Sequence, residues 1–588
     1  MNERPSNPWY SDETPSFLEH LYRGELRWDL ISRFPRQDPA DREAGDRTLA
    51  TFSNLLREQV NPVEVDTTGQ LPPELLKTLA AGGFDRLQAE PSLGGLGLSP
   101  LNTFRVVETA ASWSMPTAQI LSVQNTIGVG PFLPALPPGP LRDTVEARTR
   151  AGVFSGNSDT EPQGASNYRR YTTATPVEDG AAFLLNGEKL FSGNAPIADM
   201  VNVTATVREG DSERVRLFFV DTDSPGVRVT AHHDFMGLKG FPSGAITFED
   251  VRVPAHMVMV EGEHNRRLTP ELYRRLVVGR VHTIAAPSLA MSRLCLEWAR
   301  DFVERRQIDE RPLGSYDEIQ RNAADTLSEV FALETLVQWC LLAEQQVPAN
   351  PRFEQVAAKN LSSMTAWRVV ERTMSLYGAE GYETERSKAR RGVPPVPLER
   401  VFREARGLRI SGGVDFMLDI WMAQRAVFWC YYPQPGNIEA IESAEPDLSC
   451  LDEANLTEAN LDHLRFAATQ TKILARTCAE LARRHPDQRE LFERERLLIP
   501  LTQIGNELLL MSLVLGRTSS LGTSGPRSTQ DLADVYCAEA RLRIADAWRR
   551  HHTADSPAAS RVADQWLSGE RWADLLPDAS VDTLSVGK

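Results

Sequence analysis

The residues able to do chemistry in this sequence fall into a few short runs. Two histidine pairs, His232-His233 and His551-His552, stand out first. Adjacent residues point to opposite sides of a strand or about 100° apart on a helix, and no third ligand lies at metal spacing, so the pairs predict no metal site. The six cysteines, Cys295, Cys340, Cys430, Cys450, Cys478 and Cys537, contain no CxxC pair. They read as reduced thiols and predict a cytoplasmic protein. Gly94-Gly95-Leu96-Gly97 lacks a preceding strand and a following helix, which excludes a dinucleotide fingerprint. Among the acids, Asp415 opens the apolar run Phe416-Met417-Leu418 and reads first as a cap at a helix N-terminus. Glu380 lies in the Gly378–Gly381 turn and reads first as a surface residue. Lys388, Arg390 and Arg391 fall in a Pro-rich stretch, Arg386 to Pro397, suited to a substrate entrance or an acidic carrier.

The elements that must position these groups follow from length and patterning. A chain of 588 residues allows about four compact units. Hydrophobic residues at 41% and charged residues at 24% are the proportions of a soluble globular protein. A net charge of -16, from 64 basic and 80 acidic residues, repels phosphate backbones and argues against nucleic-acid binding. Met1 to Asp12 lacks an apolar or Arg-rich targeting pattern. Leu497 to Gly516 is interrupted by Pro500, Gln503, Asn506 and Glu507, so no transmembrane segment is expected, and Leu508 to Leu515 reads as a buried helix.

Residues 1–45 form an extension with one amphipathic piece, Phe17 to Ile31, and 46–151 carry helical spacing. Residues 152–262 alternate, as in Val215-Arg216-Leu217-Phe218-Phe219-Val220, with turns at Asn186-Gly187 and Ser224-Pro225-Gly226. Helical periodicity returns over 263–430, in Val277–Gln307, Tyr316–Gln346 and Arg352–Tyr377. A polar linker, 431–450, precedes a second helical region, 451–588.

That layout, with particular segments in order, resembles the acyl-CoA dehydrogenase family. The segments are Gly94-Gly95-Leu96-Gly97-Leu98-Ser99, Thr160-Glu161-Pro162, Leu185-Asn186-Gly187-Glu188-Lys189 and Phe248-Glu249-Asp250-Val251-Arg252-Val253-Pro254. Further matches are Glu304-Arg305-Arg306-Gln307, Glu318-Ile319-Gln320, Tyr377-Gly378-Ala379-Glu380-Gly381-Tyr382 and Arg403-Glu404-Ala405-Arg406. The run from Ser16 to Leu26 and the segment Asp534 to Ala540 are similar to the very-long-chain branch. The resemblance implies an α+β fold: an N-terminal helical domain, a central β domain, a C-terminal four-helix bundle and an appended helical domain.

It also implies a homodimer that binds FAD and an acyl thioester, carried on CoA or on a carrier protein. A base takes the α proton, the flavin accepts the β hydride, and donors polarise the thioester carbonyl. By resemblance, Thr160 faces the flavin, Ser166 touches the pyrophosphate, and Arg305, with Gln307 beside it, reaches the FAD phosphates across the dimer. Phe191-Ser192-Gly193 stands where the family has tryptophan-x-threonine, so a hydroxyl near the flavin is missing or comes from Ser192. Ser375 and Ala379 replace a glutamine and a glycine of the cofactor segment. Arg280 matches an arginine that organises the substrate pocket.

The family's catalytic glutamate has no counterpart. Counting from Arg403 places Gly412 at its position, and the alternative position used by a second branch is Gly279. The catalytic base is therefore unassigned, with Asp415 and Glu380 as substitutes. Three functions stay open: thioester dehydrogenation, flavin-dependent monooxygenation on the same fold, and a non-catalytic dehydrogenase-like subunit.

Overall fold

The computed structural model describes residues 14–569 other than 166, 168, 210–211, 260–276, 429–430, 433–437, 440, 442–444 and 523–526, together with 571, 572 and 575. Capped prolines start three helices of the N-terminal helical region. Asp38 accepts the Ala40 and Asp41 amides ahead of Pro39–Gln59, Asn61 does the same for Pro62–Thr68, and Ser99 accepts the Asn102 amide ahead of Pro100–Trp113. A proline in the first helical turn lacks an N–H that would otherwise be unsatisfied, so these Asp-Pro, Asn-Pro and Ser-Pro pairs fix the starts. Met115–Ser122 follows and runs into a π-helical turn, Val123–Ile127.

The alternating region folds into seven strands: β1 (Ser155–Ser158), β2 (Thr173–Val177), β3 (Ala182–Gly193), β4 (Met200–Glu209), β5 (Ser212–Asp221), β6 (Val227–His232) and β7 (Ser243–Pro254). Their order is β1-β4-β2-β3-β7-β6, with β5 on β4 and a further β1–β3 pairing at Asn157 and Gly193. Phe183, Leu185, Val201, Val203, Phe218, Ile246, Phe248 and Val251 fill a core of its own.

Beyond it the chain is helical. Val277–Arg280 leads through a π-helical turn, Val281–Ala285, into Ala286–Arg305, and the bundle continues with Asp317–Gln346 and Arg352–Tyr377. Two shorter helices, Leu398–Leu408 and Asp415–Met422, flank the Gly412-Gly413 turn. The expected start of the bundle at 263 and part of the expected linker lie outside the described residues. Appended to this are Glu458–Arg484, Glu495–Leu521, Arg527–His552 and Pro557–Leu567.

Two expectations change. Phe17 to Ile31 is two helices, Phe17–Tyr22 and Trp28–Ile31, and they are core elements rather than an extension. They lie against Glu495–Leu521 so closely that a Cβ on Gly505 would stand 2.5 Å from the Tyr22 ring, and one on Gly516 2.8 Å from the Ile31 carbonyl. Second, Lys388 is buried, donating to the Glu380 and Val396 carbonyls, and Arg391 pairs with Glu383, so the expected basic patch is largely spent on its own segment. Leu508 to Leu515 is enclosed, as expected for a buried helix. Asp317–Gln346 and Glu495–Leu521 are long and apolar enough to span a membrane, but their apolar windows are 78% and 83% buried within the protein.

Candidate active site

The β domain presents an aromatic platform fixed by a buried ion pair. Lys189 on β3 meets Glu161 at 2.8 Å with both side chains enclosed, and Glu161 also accepts the Tyr171 and Thr172 amides. Burial disfavours the charge on Glu161, but the Lys189 ammonium and those two amides hold its carboxyl below the usual range. Burial lowers the Lys189 ammonium, opposed by Glu161. The pair ties the segment after β1 to β3, and the Leu190 amide donates to the Thr160 carbonyl at 2.8 Å. Thr160 and the Phe191-Ser192-Gly193 run are thus brought together.

Phe191 sits at a bulge with φ of +52° and is 57% exposed. Its ring lies 4.6 Å from that of His233, which stacks in turn on Phe235 at 5.9 Å. An aromatic left bare in a strained, paired position is fitted to receive a planar ring. Ser192, after the bulge, is buried with its hydroxyl enclosed without a partner, whereas Phe191 is exposed. Ser192 therefore does not join Phe191 on the open face, and the proposed substitute hydroxyl is absent from that face. Ser166 lies outside the described residues.

The bundle supplies the second half. Arg403 donates to the Met236 carbonyl at 2.9 Å, and Gly237 abuts the Arg403 backbone, so the loop bearing His233 and Phe235 is held on the helix that leads to Gly412. The π-helical turn joins the two halves: Val123 lies beside Gly193, and Ile127 beside Gly279. A side chain added at Gly412, where φ is +72°, would meet within 4 Å only Ile284, at 3.8 Å. At Gly279 a Cβ would lie 3.1 Å from Ile127. Gly412 thus borders space, whereas Gly279 is closely packed by Ile127 and Thr126, and neither position meets a replacement acid.

Around this crevice stand Arg280, Lys359 and Asp415. Lys359 is fully buried and donates to the Arg409 carbonyl at 3.0 Å. Burial pushes its ammonium down to about 8, against the pull of Asp415 and Asp419. Asp415 is the first residue of its helix, with Val414 at the cap position, and it pairs with Arg409 at 2.9 Å. Burial disfavours its charge, but Arg409 keeps the carboxyl below the usual range. Asp419 accepts from Asn360 at 2.8 Å and from Gln503 of the appended domain at 2.9 Å, and burial pushes it up to about 6. Lys359 has no motif of its own, and its one signal is a lone cation within Val356 to Leu361.

The remaining predicted residues gather elsewhere. Arg305, Gln307, Ser375 and Ala379 are exposed at the far end of the bundle, where Ser375 donates to Glu371 and Arg305 stacks on Phe302. Glu380 belongs to this end and pairs with Arg306 at 3.3 Å. The helix runs 18 residues beyond Lys359 to Tyr377, a rise of roughly 27 Å, so Glu380 lies at the end away from Lys359. Beside the turn at Gly94 to Gly97 a cavity of about 480 Å³ opens, lined by Leu93, Leu98, Thr126 and Val278.

Comparison with known proteins bears on this arrangement. Family models for the acyl-CoA dehydrogenase N-terminal, middle and C-terminal domains match residues 43–135, 158–251 and 272–426. The probable acyl-CoA dehydrogenase FadE10 of Mycobacterium tuberculosis is 30% identical over 576 residues, covering 90% of this chain and 85% of that protein. The human mitochondrial short-chain specific acyl-CoA dehydrogenase is 26% identical, covering 63% of this chain and 87% of its own. A crystal structure of an acyl-CoA dehydrogenase complexed with FAD from Bacillus anthracis superposes with a TM-score of 0.73 at 19% identity, covering 96% of each chain. Its coverage extends the shared fold to the appended helices. The three domain matches and the FadE10 relative agree: this chain belongs to the acyl-CoA dehydrogenase family.

Proposed function

We propose that this protein is an FAD-dependent oxidoreductase that removes hydrogens from the α and β carbons of an acyl thioester. The family is one of flavoprotein oxidoreductases acting on acyl-CoA, and that membership selects dehydrogenation over the monooxygenase and non-catalytic readings. The observation that carries it is the meeting of the bare Phe191 platform with the crevice between Gly279 and Gly412 across the turn Val123–Ile127.

In this reading FAD supplies the hydride acceptor. The Glu161–Lys189 pair holds Thr160 and Phe191 in register against its ring, and the turn Val123–Ile127 spaces the platform from the crevice. Arg280 offers positive charge to the thioester end. Asp415 is ionised and one turn beyond Gly412, but its contacts with Arg409 and the Phe416 amide leave it poorly placed to take a proton.

A homodimer fits the distribution of cofactor residues. The helix Ala286–Arg305 spans about 30 Å, so Arg305 and Gln307 stand at the opposite end from the crevice, where they could serve a second copy's cofactor. A cytoplasmic location suits the cysteines: Cys295, Cys340, Cys450, Cys478 and Cys537 are all buried. The thioester carrier, CoA or protein, stays part of the proposal.

The test is a visible spectrum of the purified protein, followed by anaerobic addition of acyl-CoA thioesters. Bleaching of a flavin band with formation of the 2-enoyl product is expected. A flavin that stays oxidised under every thioester overturns dehydrogenation.

A further inference from the structure

The deep arginines of this protein are set against carboxylates. Arg352 meets Glu19 at 2.7 Å, Arg543 meets Glu507 at 2.9 Å, Arg293 reaches Glu334 and Glu108, and Arg368 and Arg372 share Glu329. Arg280 breaks the pattern. Among the described residues it makes no hydrogen bond or ion pair, and its Nε is enclosed without a partner. The residue keeps accessible surface although it lies deep, so its remaining nitrogens front open space. Lys359, a like charge, is near enough to feel it.

The surroundings say where that space is. Ile284 lies one turn beyond Arg280, and Ile284 is the group that a Cβ on Gly412 would face. Lys359, which feels Arg280, binds the Arg409 carbonyl three residues before Gly412. Arg280 therefore looks into the crevice bordered by Gly412 and Gly279, where the resemblance expects a glutamate side chain. Removing an acid from beside a buried guanidinium leaves both a vacancy of carboxylate size and an uncompensated charge, and a buried charge needs a partner. Asp415 does not fill that need, since its partners are Arg409 and the Phe416 amide.

We infer that Arg280 is a specificity-determining residue that selects acyl thioesters carrying a carboxylate on or near the α carbon, the substrate's acid standing in the room beside Gly412. This rests on the acyl-thioester reading above and narrows its substrate class. A planar, permanently charged guanidinium suits a carboxylate better than any neutral group. CoA phosphates lie too far from the reacting carbons to serve.

The test uses the full-length, FAD-loaded protein and isothermal titration with pairs matched in shape: methylmalonyl-CoA against 2,3-dimethylbutanoyl-CoA, and succinyl-CoA against 4-methylpentanoyl-CoA. A charge-assisted pair in a half-buried site predicts roughly 10- to 100-fold tighter binding of at least one carboxylated member. Arg280→Gln should collapse that ratio to within about 2-fold, and Arg280→Lys should keep part of it. Equal binding of both members by the unaltered protein overturns the inference and leaves the thioester reading standing. A preference that survives in Arg280→Gln overturns it too. Failure of every thioester to bind overturns the underlying reading and this inference with it.

Discussion

Arg352 and Arg280 are both set deep in the helical part of this protein, yet they are treated in opposite ways. Arg352 lies in the seam between the N-terminal helix Phe17–Tyr22 and the bundle, where its guanidinium meets Glu19 with side chains 6% and 2% exposed. Glu19 also accepts the Ser16 amide in a capping box, so the acid is itself held in place. Arg280 follows Gly279 and has no ion pair among the described residues. In the seam, charge is buried to join the N-terminal helix to the bundle. In the crevice, charge was buried and left open, a cost in stability that structure alone gives no reason to bear.

The sharpest way to break this comparison is to delete each arginine. Arg352→Met strands the Glu19 carboxylate, and a loss of about 3–5 kcal/mol in urea unfolding is expected. Arg280→Met strands nothing, so the ligand-free protein should be as stable or more stable by up to ~1 kcal/mol. A loss above ~2 kcal/mol in Arg280→Met would make Arg280 a structural cation and erase the contrast.

A second prediction concerns the other buried pair. Lys189→Met leaves Glu161 charged beneath the platform, with about 3 kcal/mol of destabilisation expected. FAD retention on gel filtration should fall with it, because Thr160 and Phe191 lose their register. Full FAD retention would separate the platform from the ion pair.

The seam also titrates. Burial pushes the Glu354 carboxyl from 4.5 to about 7, opposed by bonds from the Trp339 indole and the Leu18 amide and reinforced by Glu19. The folded state thus holds a proton that the unfolded chain has released. The resulting stability is full below the unfolded value, declines as pH rises, and is gone above about 7. Thermal unfolding between pH 5 and 8 should show this decline, and Glu354→Gln should flatten it by on the order of 2–3 kcal/mol.

The smallest effect is expected at Asp415. Because its oxygens are engaged by Arg409 and the Phe416 amide, Asp415→Asn should slow flavin reduction by less than about 10-fold. A stopped-flow loss of about 100-fold or more would make Asp415 the base.

Much of this molecule was legible before folding. Proline after Asp38, Asn61 and Ser99 announces helix starts, alternation in Val215 to Val220 announces a strand, and Arg352–Tyr377 was bounded to the residue. These signals are local, since capping and periodicity act within a few residues. The fate of Ser192 was not legible, because one extra residue in a bulge exchanges the faces of a strand. Nor was the burial of Lys388, which depends on carbonyls eight residues away on either side.

By itself, the sequence determined the fold family, the cofactor class and the loss of both expected acids at Gly279 and Gly412, because motifs in order and the absence of a side chain are properties of a string. Only the tertiary structure decided that Glu380 pairs with Arg306, that Asp415 is already paired, and that Arg280 has no partner among the described residues. Pairing of charges is a matter of distance between segments far apart in the chain, and no spacing within the sequence carries it.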